Sequence, residues 1–310
     1  MPDGSTGLSN YFRLMRVDRC ITLGVARPVL RASSLLSGRD DDFRTGRRVL
    51  PVLMYHSISG DSEDGVDPYF RVATSPERFR AHMNWLAELG WVGVTLGDGL
   101  KWRAGELDFP KRPVAITFDD GFRDFRTNAF PVLRDRGFRA TMHVPTGLVG
   151  GKGCFMGRDC LDWGEIRSLH GCGIEFGSHT VSHPVLYNLP WFEIRRELVD
   201  SKARIEEELG EPVRIFSYPF AFPQPDRDFT RLFTATLEQC GYQTCTTTTI
   251  GRVWPSDSRF AVRRLPANDC DDRLLLEAKL SGAYDWLAKP QGLYKALRFL
   301  GRRPKVRSIG

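Results

Sequence analysis

Several features that mark other protein classes are missing from this sequence. The 310 residues contain no CxxC pair, no repeat at a fixed period and no apolar run of the roughly 20 residues that span a bilayer. The seven cysteines are odd in number and scattered, which argues against a disulfide framework or a thiolate zinc site and favours a reducing compartment. With 41% hydrophobic and 26% charged residues, the composition is that of a globular protein with an ample core.

A secretion signal is also missing. The first apolar stretch, "CITLGVARPVL", is interrupted by Arg27 and Pro28, and no small-residue cleavage site follows it. We therefore expect a protein of the cytoplasm, or one held peripherally at the cytoplasmic face of the membrane, without a signal peptide or a transmembrane helix.

Positive charge is concentrated at the two ends of the chain. Of the net charge of +6, the segment from Lys289 to the end contributes +7 and residues 1–50 contribute +4, so the stretch between them carries about −5. A nucleic-acid binder needs a basic face on its fold, and no nucleic-acid partner is expected here. The basic tail includes apolar residues such as Leu293 and Leu297, so it could contact an anionic membrane surface. The alternative is a solvated, partly helical tail.

The body of the chain alternates short apolar strands with amphipathic helices. One helix is marked by Ser75 as N-cap, Pro76 in its first turn and Gly90 as terminator. Repeated strand-then-helix units imply a parallel sheet covered by helices. About seven such units favour a barrel, and an open sheet is the alternative. The predicted strands are "VLPVLMYHSI", "WVGVTL", "PVAITFDD", "RATMHVP", "IEFGSH", "VRIFSYP", "YQTCTTTT" and "FAVRRLP".

This pattern divides the chain into three parts. Residues 1–48 form an N-terminal extension that is partly helical or linker, residues 49–288 form the barrel, and residues 289–310 form the basic tail.

Five polar residues lie at the ends of predicted strands. Asp119 and Asp120 end "ITFDD", His56 ends "PVLMYH", His179 ends "IEFGSH", and His183 follows four residues later. In a parallel barrel the carboxyl ends of the strands converge, and chemistry takes place there. The alternatives are an ordinary Asp-Asp-Gly turn and two surface histidines that share a spacing by chance.

Two imidazoles and one carboxylate suit a divalent metal such as zinc. His179, His183 and Asp120 would supply three ligands and leave open positions for water and substrate. Asp119 would then act as general base, so that one carboxylate neutralises the ion and the other accepts a proton. Because Pro184 disfavours helical backbone at His183, we expect the two histidines in a tight loop or a single turn.

The other three histidines are assigned to structure. His82 lies inside an amphipathic helix, and His143 has apolar neighbours on both sides, which predicts a satisfied core histidine. His170 ends a helix, where a cation suits the helix dipole.

The ordered set "LMYHSI", "ITFDDGF", "DWGEI", "GIEFGSHTVSH" and "FSYPFA" resembles the polysaccharide deacetylase family, carbohydrate esterase family four, from about Val49 to Leu280. The resemblance implies a distorted (β/α) barrel with about seven strands and removal of acetyl groups from N-acetylated glycans with a divalent ion, usually zinc. It implies that Asp119 is the catalytic base and that Asp120, His179 and His183 hold the metal. It also implies that the backbone N–H of Phe220, after Pro219, helps to bind the oxyanion, with Tyr218 and Pro219 at the substrate.

Two positions depart from the family pattern. Ser217 stands where many members carry an arginine that holds the catalytic aspartate, and no histidine follows His183 to serve as the late general acid. The motif "LMYH" resembles the branch that acts on poly-N-acetylglucosamine, in which a histidine of this strand is the acid. We therefore assign protonation of the leaving amine to His56 and the role of the missing arginine to Arg264.

These assignments predict a metal-dependent hydrolase that removes N-acetyl groups from N-acetylhexosamine units of a polysaccharide or its precursor. A catalytically inert polysaccharide-binding barrel is the first alternative, because Ser217 and the late histidine depart from the pattern. A non-heme iron oxygenase is the second, because two histidines and a carboxylate also form its facial triad.

Overall fold

The computed structural model describes residues 17–37, 47–63, 65–66, 70–109, 111–153 and 155–300. Residues 1–16 and 38–46 of the predicted N-terminal extension, and residues 301–310 of the predicted basic tail, lie outside this part. The described residues form a closed barrel of parallel strands surrounded by helices.

Eight strands form one parallel sheet, and seven of them close into a ring. The ring follows the order β1, β8, β7, β6, β5, β4, β3 and returns to β1. The prediction of a distorted barrel with about seven strands is thus confirmed. The strands are β1 Val52–Tyr55, β2 Trp91–Val94, β3 Arg112–Phe118, β4 Thr141–Val144, β5 Glu175–Ser178, β6 Ile215–Ser217, β7 Thr244–Ile250 and β8 Val262–Pro266.

Strand β2 remains outside the ring because β3 has two successive partners along its length. The first half of β3 pairs with β2, as in the register of Val94 with Ala115. Its second half pairs with β4, as in the register of Thr117 with Thr141. The sequence predicts β2 as one more strand of the sheet, but only the pairing shows that it does not take part in closure.

The helices follow the strands as the alternating pattern predicts. They are α1 Val17–Ile21, α2 Arg27–Ser37, α3 Pro76–Glu88, α4 Leu96–Ala104, α5 Phe130–Arg134, α6 Trp163–Gly171, α7 Trp191–Leu209, α8 Arg227–Gln239, α9 Arg273–Ser281 and α10 Ala288–Leu300. A π-helical turn, Thr22–Ala26, joins α1 to α2, and another, Phe125–Ala129, precedes α5. None of the described helices has the length and apolar character that crossing a bilayer requires.

Helix α3 is capped as predicted, whereas α4 is not among the predicted helices. The Ser75 side chain accepts a hydrogen bond from the N–H of Arg78, and Pro76 lies in the first turn of α3. In α4, Thr95 caps the N–H of Asp98, and Gly105 ends the helix at φ 83°. The short run "LGDGLKWRA" contains two glycines, so the cap residues were the available signal for this helix.

Apolar side chains fill both the space outside the barrel and the lower part of its interior. Leu53 and Ile116 point outward and pack with the buried face of α3. Their neighbours Val52 and Ala115 share a second cluster with Ile215 of β6, which is not adjacent to either strand in the ring. Side chains alternate along a strand, so this second cluster fills the interior.

A buried ion pair fixes α9 to the end of β8. The ammonium group of Lys279 lies 2.7 Å from a carboxylate oxygen of Asp271, and both side chains are buried. Lys279 also donates to the carbonyl of Pro266. The carbonyl of Asp271 accepts from the imidazole of His82, whose other nitrogen accepts from the hydroxyl of Tyr55. His82 is therefore the structural histidine that its helix predicts.

Removing the charge of Asp271 should destabilise the protein. In Asp271→Asn the buried ammonium of Lys279 loses this counter-charge, and we expect the free energy of unfolding to fall by about 3–5 kcal/mol. Urea denaturation measures this change. The control is Asp228→Asn, since the Asp228 carboxylate pairs with Arg231 in solvent and exposed pairs contribute little. A loss at Asp271 no larger than at Asp228 would contradict the role given to the buried pair.

Candidate metal and catalytic centre

The polar residues predicted at strand ends come together at the carboxyl end of the barrel. Asp119 and Asp120 follow β3, His56 follows β1, and His179 follows β5. Asp119 lies on the inward side of β3, because two-residue steps lead to it from the interior residue Ala115. The barrel therefore brings these side chains together where parallel strands position active sites.

Asp120, His179 and His183 form a compact group of possible metal ligands. The Nε2 atoms of His179 and His183 lie 3.5 Å and 3.4 Å from Oδ1 of Asp120. One ligand atom from each of the three residues lies within 4.8 Å of the other two. Two imidazole nitrogens and one carboxylate oxygen form a donor set that suits zinc and similar divalent ions.

Hydrogen bonding prepares His179 for this role. Its Nδ1–H donates to the backbone carbonyl of Ser217 at 2.8 Å, so in the neutral imidazole the lone pair lies on Nε2, which faces Asp120. A histidine ligand is normally oriented by such a bond on its other nitrogen. Burial lowers the pKa of His179, but the carboxylates of Asp119 and Asp120 raise it by more.

His183 and Asp120 complete the group with different charge states. Burial, together with the charge of His179, lowers the pKa of His183 to about 4, so this imidazole is neutral near pH 7. Burial raises the pKa of Asp120, but the hydrogen bond from His179 and the charge of His56 lower it by more. A divalent ion requires neutral imidazoles and an ionised carboxylate, so binding one would displace the proton that the carboxylates favour on His179.

The segment between the two histidines is a tight loop, one of the two conformations that Pro184 predicts. The N–H of His183 donates to the hydroxyl of Thr180 at 2.9 Å. The carboxylate of Glu197, on α7, accepts from the N–H groups of Val181 and Ser182 at 2.7 Å and 3.0 Å. The sequence analysis missed Glu197, because nothing in the pattern of α7 relates it to a loop that precedes the helix.

Asp119 is held by a bidentate contact with Arg264. Nη1 and Nη2 of Arg264 each lie 2.7 Å from one carboxylate oxygen of Asp119, and both side chains are buried. Arg264 also donates to the Ser217 hydroxyl at 3.2 Å. An arginine from β8 thus makes the predicted contact with Asp119, beside Ser217.

His143 is a third partner of the Asp119 carboxylate. The sequence analysis placed His143 in the core and gave it no part in the site, and the structure corrects this second point. Its Nδ1 lies 2.8 Å from Oδ1 of Asp119, while its Nε2 has no hydrogen-bond partner within the described chain. Gly177 provides the room for the ring, since a Cβ there would lie 2.8 Å from Cδ2 of His143.

His143 could have been recognised from strand parity. Thr141 is in register with Thr117, so two-residue steps carry His143 and Asp119 to the same level and the same inward side of adjacent strands. The apolar neighbours of His143 face the other side and concealed this signal.

The charge partners decide the protonation state of Asp119. Burial raises the pKa of Asp119, but Arg264, His179 and His143 together hold it well below the usual range. The carboxylate is therefore ionised near neutral pH despite its burial.

The segment after β6 forms another wall of the site. Phe220 is 51% exposed, and its ring meets the ring of His183 edge to face at 4.6 Å between centroids. Pro219 is buried. The ring of Tyr218 is buried too, where it packs against Phe222 and Phe233, so it offers no face to a substrate. The substrate-binding role assigned to Tyr218 and Pro219 stays a prediction.

His56 lies half-buried at the end of β1. Its charge contributes to the pKa of both Asp120 and His183, which means that its imidazole is within electrostatic range of the metal-ligand group. The N–H of Asp119 donates to the carbonyl of Tyr55, the residue before His56, at 3.0 Å.

Four site residues other than glycine adopt left-handed backbone, namely Asp120 at φ 75°, Thr180 at φ 71°, His183 at φ 54° and Phe220 at φ 57°. Such residues cost free energy, and they persist where the surrounding structure fixes them, often at functional sites. The surrounding structure therefore fixes the backbone conformation of these four site residues.

Comparison with known proteins agrees with this geometry. A family model described as polysaccharide deacetylase matches residues 106–245. YxkH of Bacillus subtilis, a candidate polysaccharide deacetylase, is 28% identical over 216 residues, which cover 70% of each chain. The poly-β-1,6-N-acetyl-D-glucosamine N-deacetylase of Staphylococcus aureus is 28% identical over 149 residues, 48% of this chain and 50% of that protein.

One solved structure shares the fold over most of this chain. The deacetylase PplD of Streptococcus pyogenes superimposes with a TM-score of 0.66 at 22% identity, and the match covers 75% of this chain and 98% of that one.

The metal-ligand group can be tested without a substrate. We expect about one zinc ion per chain in purified protein supplied with zinc, and a 10- to 100-fold or greater loss of zinc affinity in His179→Ala and in Asp120→Ala. Mass spectrometry of metal content and calorimetric titration give the two numbers. His170→Ala, which changes a histidine near Glu211 outside the site, is the control. Zinc affinity that is unchanged in the two site variants would rule out this group.

Proposed function

Because the chain carries a polysaccharide deacetylase domain over residues 106–245, we propose that it is a metal-dependent hydrolase of glycan N-acetyl groups. Its substrate would be an N-acetylhexosamine unit of a polysaccharide or of its precursor. The observation that carries the proposal is the pairing of two carboxylates, Asp120 facing two histidines and Asp119 clamped by Arg264.

Asp120, His179 and His183 would hold the divalent ion, most simply zinc. Such an ion supplies Lewis acidity at the acetyl carbonyl. The hydrogen bond from His179 to Ser217 keeps that ligand in one tautomer, and Glu197 keeps the loop of His183 in one conformation. The residues of the chain thus hold the donor atoms in place before the substrate arrives.

Asp119 would accept the proton of the attacking water. Arg264 keeps the carboxylate ionised and fixes its plane through two hydrogen bonds. Each carboxylate oxygen can accept more than one hydrogen bond, so the contact with Arg264 leaves capacity for a water. His143 donates to Oδ1 from the β4 side and restrains the remaining rotation of the group.

Phe220 and His56 would act on the oxygen and the nitrogen of the scissile amide, respectively. The N–H of Phe220, fixed by left-handed backbone at φ 57°, would donate to the developing oxyanion. His56 would protonate the nitrogen as it leaves, because an amine leaves poorly without a proton. The half-exposed ring of Phe220 offers an apolar face beside the reacting group.

The name of the Staphylococcus aureus relative supports a polymer of N-acetylglucosamine as the substrate class. The chain spans only half of that relative, so the sugar and its linkage are part of the proposal. The inert binding barrel has less support than the enzyme, because Arg264 gives Asp119 a cationic partner, whereas the Ser217 hydroxyl at 3.4 Å is neutral. The oxygenase alternative gives no role to a second carboxylate clamped by an arginine.

Acetate release from N-acetylglucosamine oligomers tests the proposal. We expect Asp119→Asn to lower kcat by at least about 10²-fold, because the amide cannot accept the proton of water. Bound zinc should remain, since Asp119 is outside the ligand group. Asp200→Asn, on the exposed side of α7, is the control and should match the wild type. Undiminished acetate release by Asp119→Asn would refute the mechanism, and glycan binding without acetate release in the wild type would favour the binding barrel.

A further inference from the structure

The N-terminal helical segment is packed with its polar side toward the barrel. Asp18 accepts a hydrogen bond from the hydroxyl of Tyr284 at 2.5 Å, and Thr22 accepts from the indole N–H of Trp286 at 3.0 Å. Two ion pairs, Arg19 with Asp272 and Arg27 with Glu277, join the segment to α9. A surface helix of a globular protein normally does the reverse and buries its apolar side.

Apolar side chains of the same segment are directed to solvent. Val17, Ile21, Val25 and Val29 recur at four-residue intervals, and Val25 and Val29 are 58% and 62% exposed. Single exposed apolar residues are common on proteins, but an ordered row of them indicates an interaction surface.

Helix α10 also directs apolar side chains to solvent. It begins directly after the turn Asp285–Leu287, which contains the Trp286 that contacts Thr22. Leu293 and Leu297, one helical turn apart, are 64% and 61% exposed. We refer to Val17, Ile21, Val25, Val29, Leu293 and Leu297 together as the apolar docking face.

This face is connected to the rim of the catalytic centre. Gln291 of α10 accepts from the N–H of Ile250 at 3.0 Å and donates to the carbonyl of Thr248 at 2.9 Å. The hydroxyl of Thr248 donates to the carbonyl of Phe220 at 3.0 Å. Whatever binds α10 therefore lies close to the segment that carries Phe220.

Charge indicates what covers the face. In the sequence, the segment from Lys289 onward contains seven basic residues and no acidic one, and of these Lys295 is buried. A second copy bound through two-fold symmetry would bring two such segments together, which like-charge repulsion opposes. An anionic membrane satisfies both features, because basic residues bind the headgroups while apolar side chains enter the interface.

We propose that the apolar docking face binds peripherally to an anionic membrane and holds the catalytic centre at the lipid surface. The binding step stands without the proposed function. Only the inference that the enzyme acts on glycan at the membrane rests on that function.

Sedimentation with lipid vesicles tests the docking face in the full chain. We expect the protein to sediment with vesicles of phosphatidylcholine containing about 30% phosphatidylglycerol, to sediment little with phosphatidylcholine alone, and to be released by high salt. The double variants Val25→Asp/Val29→Asp and Leu293→Ser/Leu297→Ser should each lower the vesicle partition coefficient by about tenfold or more. The control is Phe192→Ser, an apolar residue of α7 that is 69% exposed but outside the face.

Two results would overturn the proposal. One is equal sedimentation of the wild type and the two double variants, and the other is a dimer in light scattering that the same variants dissociate. Acetate release from soluble oligomers should not change in either double variant. A failure of the proposed function, seen as no acetate from the wild type, therefore leaves the vesicle result interpretable.

A second inference, carried by different contacts, concerns Asp124. Its carboxylate accepts from the hydroxyl of Ser57 at 2.5 Å and from the N–H of Ile58 at 2.9 Å. Asn128, one turn further on, donates to the carbonyl of Ile58 at 2.7 Å. His56, which directly precedes Ser57, is therefore tied to the segment that also carries the two site aspartates. We infer that Asp124 is a positioning residue for His56.

This inference rests on the proposed function, and the leaving group of the substrate tests it. An acid is needed to expel an amine, but an aryl acetate such as 4-methylumbelliferyl acetate releases its phenol without one. We expect Asp124→Ala to lower kcat/KM for N-acetylglucosamine oligomers by about tenfold or more while the aryl ester is spared. Asp124→Asn, which keeps an acceptor for Ile58, should recover part of the loss.

A double-mutant cycle completes this test. His56→Ala should show the same selective loss, and adding Asp124→Ala to it should cost nothing further, because both changes remove one function. Equal losses on the amide and the ester, or additive losses in the double variant, would refute a positioning role. A wild type inactive on both substrates would instead refute the proposed function.

Discussion

The site depends on keeping two adjacent buried carboxylates ionised. A buried carboxylate without a partner would take up a proton, and a neighbouring negative charge adds to that tendency. In the barrel, each of the two carboxylates is kept ionised by its own set of partners. Arg264 and His143 satisfy Asp119 from strands on either side, while His179 and His183 face Asp120. Because the two aspartates are consecutive, the backbone turns through left-handed geometry at Asp120 to separate them.

Much of this arrangement could be predicted from the sequence, because two simple periodicities determine it. Alternating strand and helix signals gave a parallel barrel, and such a barrel brings polar residues at strand ends to one place. This convergence of strand ends was enough to group four residues, namely Asp119, Asp120, His179 and His183. The resemblance to the deacetylase family implied an arginine partner for Asp119, and Arg264 makes that contact in the structure.

The remaining features depend on register and on three-dimensional packing. His143 required the pairing of β3 with β4, and the outer position of β2 required the pairing of β3 with two strands in turn. Glu197 acts on backbone N–H groups, which leave no trace in a sequence pattern. The setting of the Tyr218 ring could not be predicted, because an aromatic residue near a site can face either the substrate or the core, and here the ring is buried.

Closure of the barrel also determines whether the candidate site is complete. Asp120, His179 and His183 come from one stretch of chain, and β3, β4 and β5 pair in sequence order. Arg264 comes from the last strand, and β8 joins β1 through a seam in which two positions on each strand are in register. Contacts between distant parts of a chain require costly loop closure. A chain with this seam open would present the three candidate ligands together while Asp119 lacked its arginine, so closing the barrel also completes the candidate site.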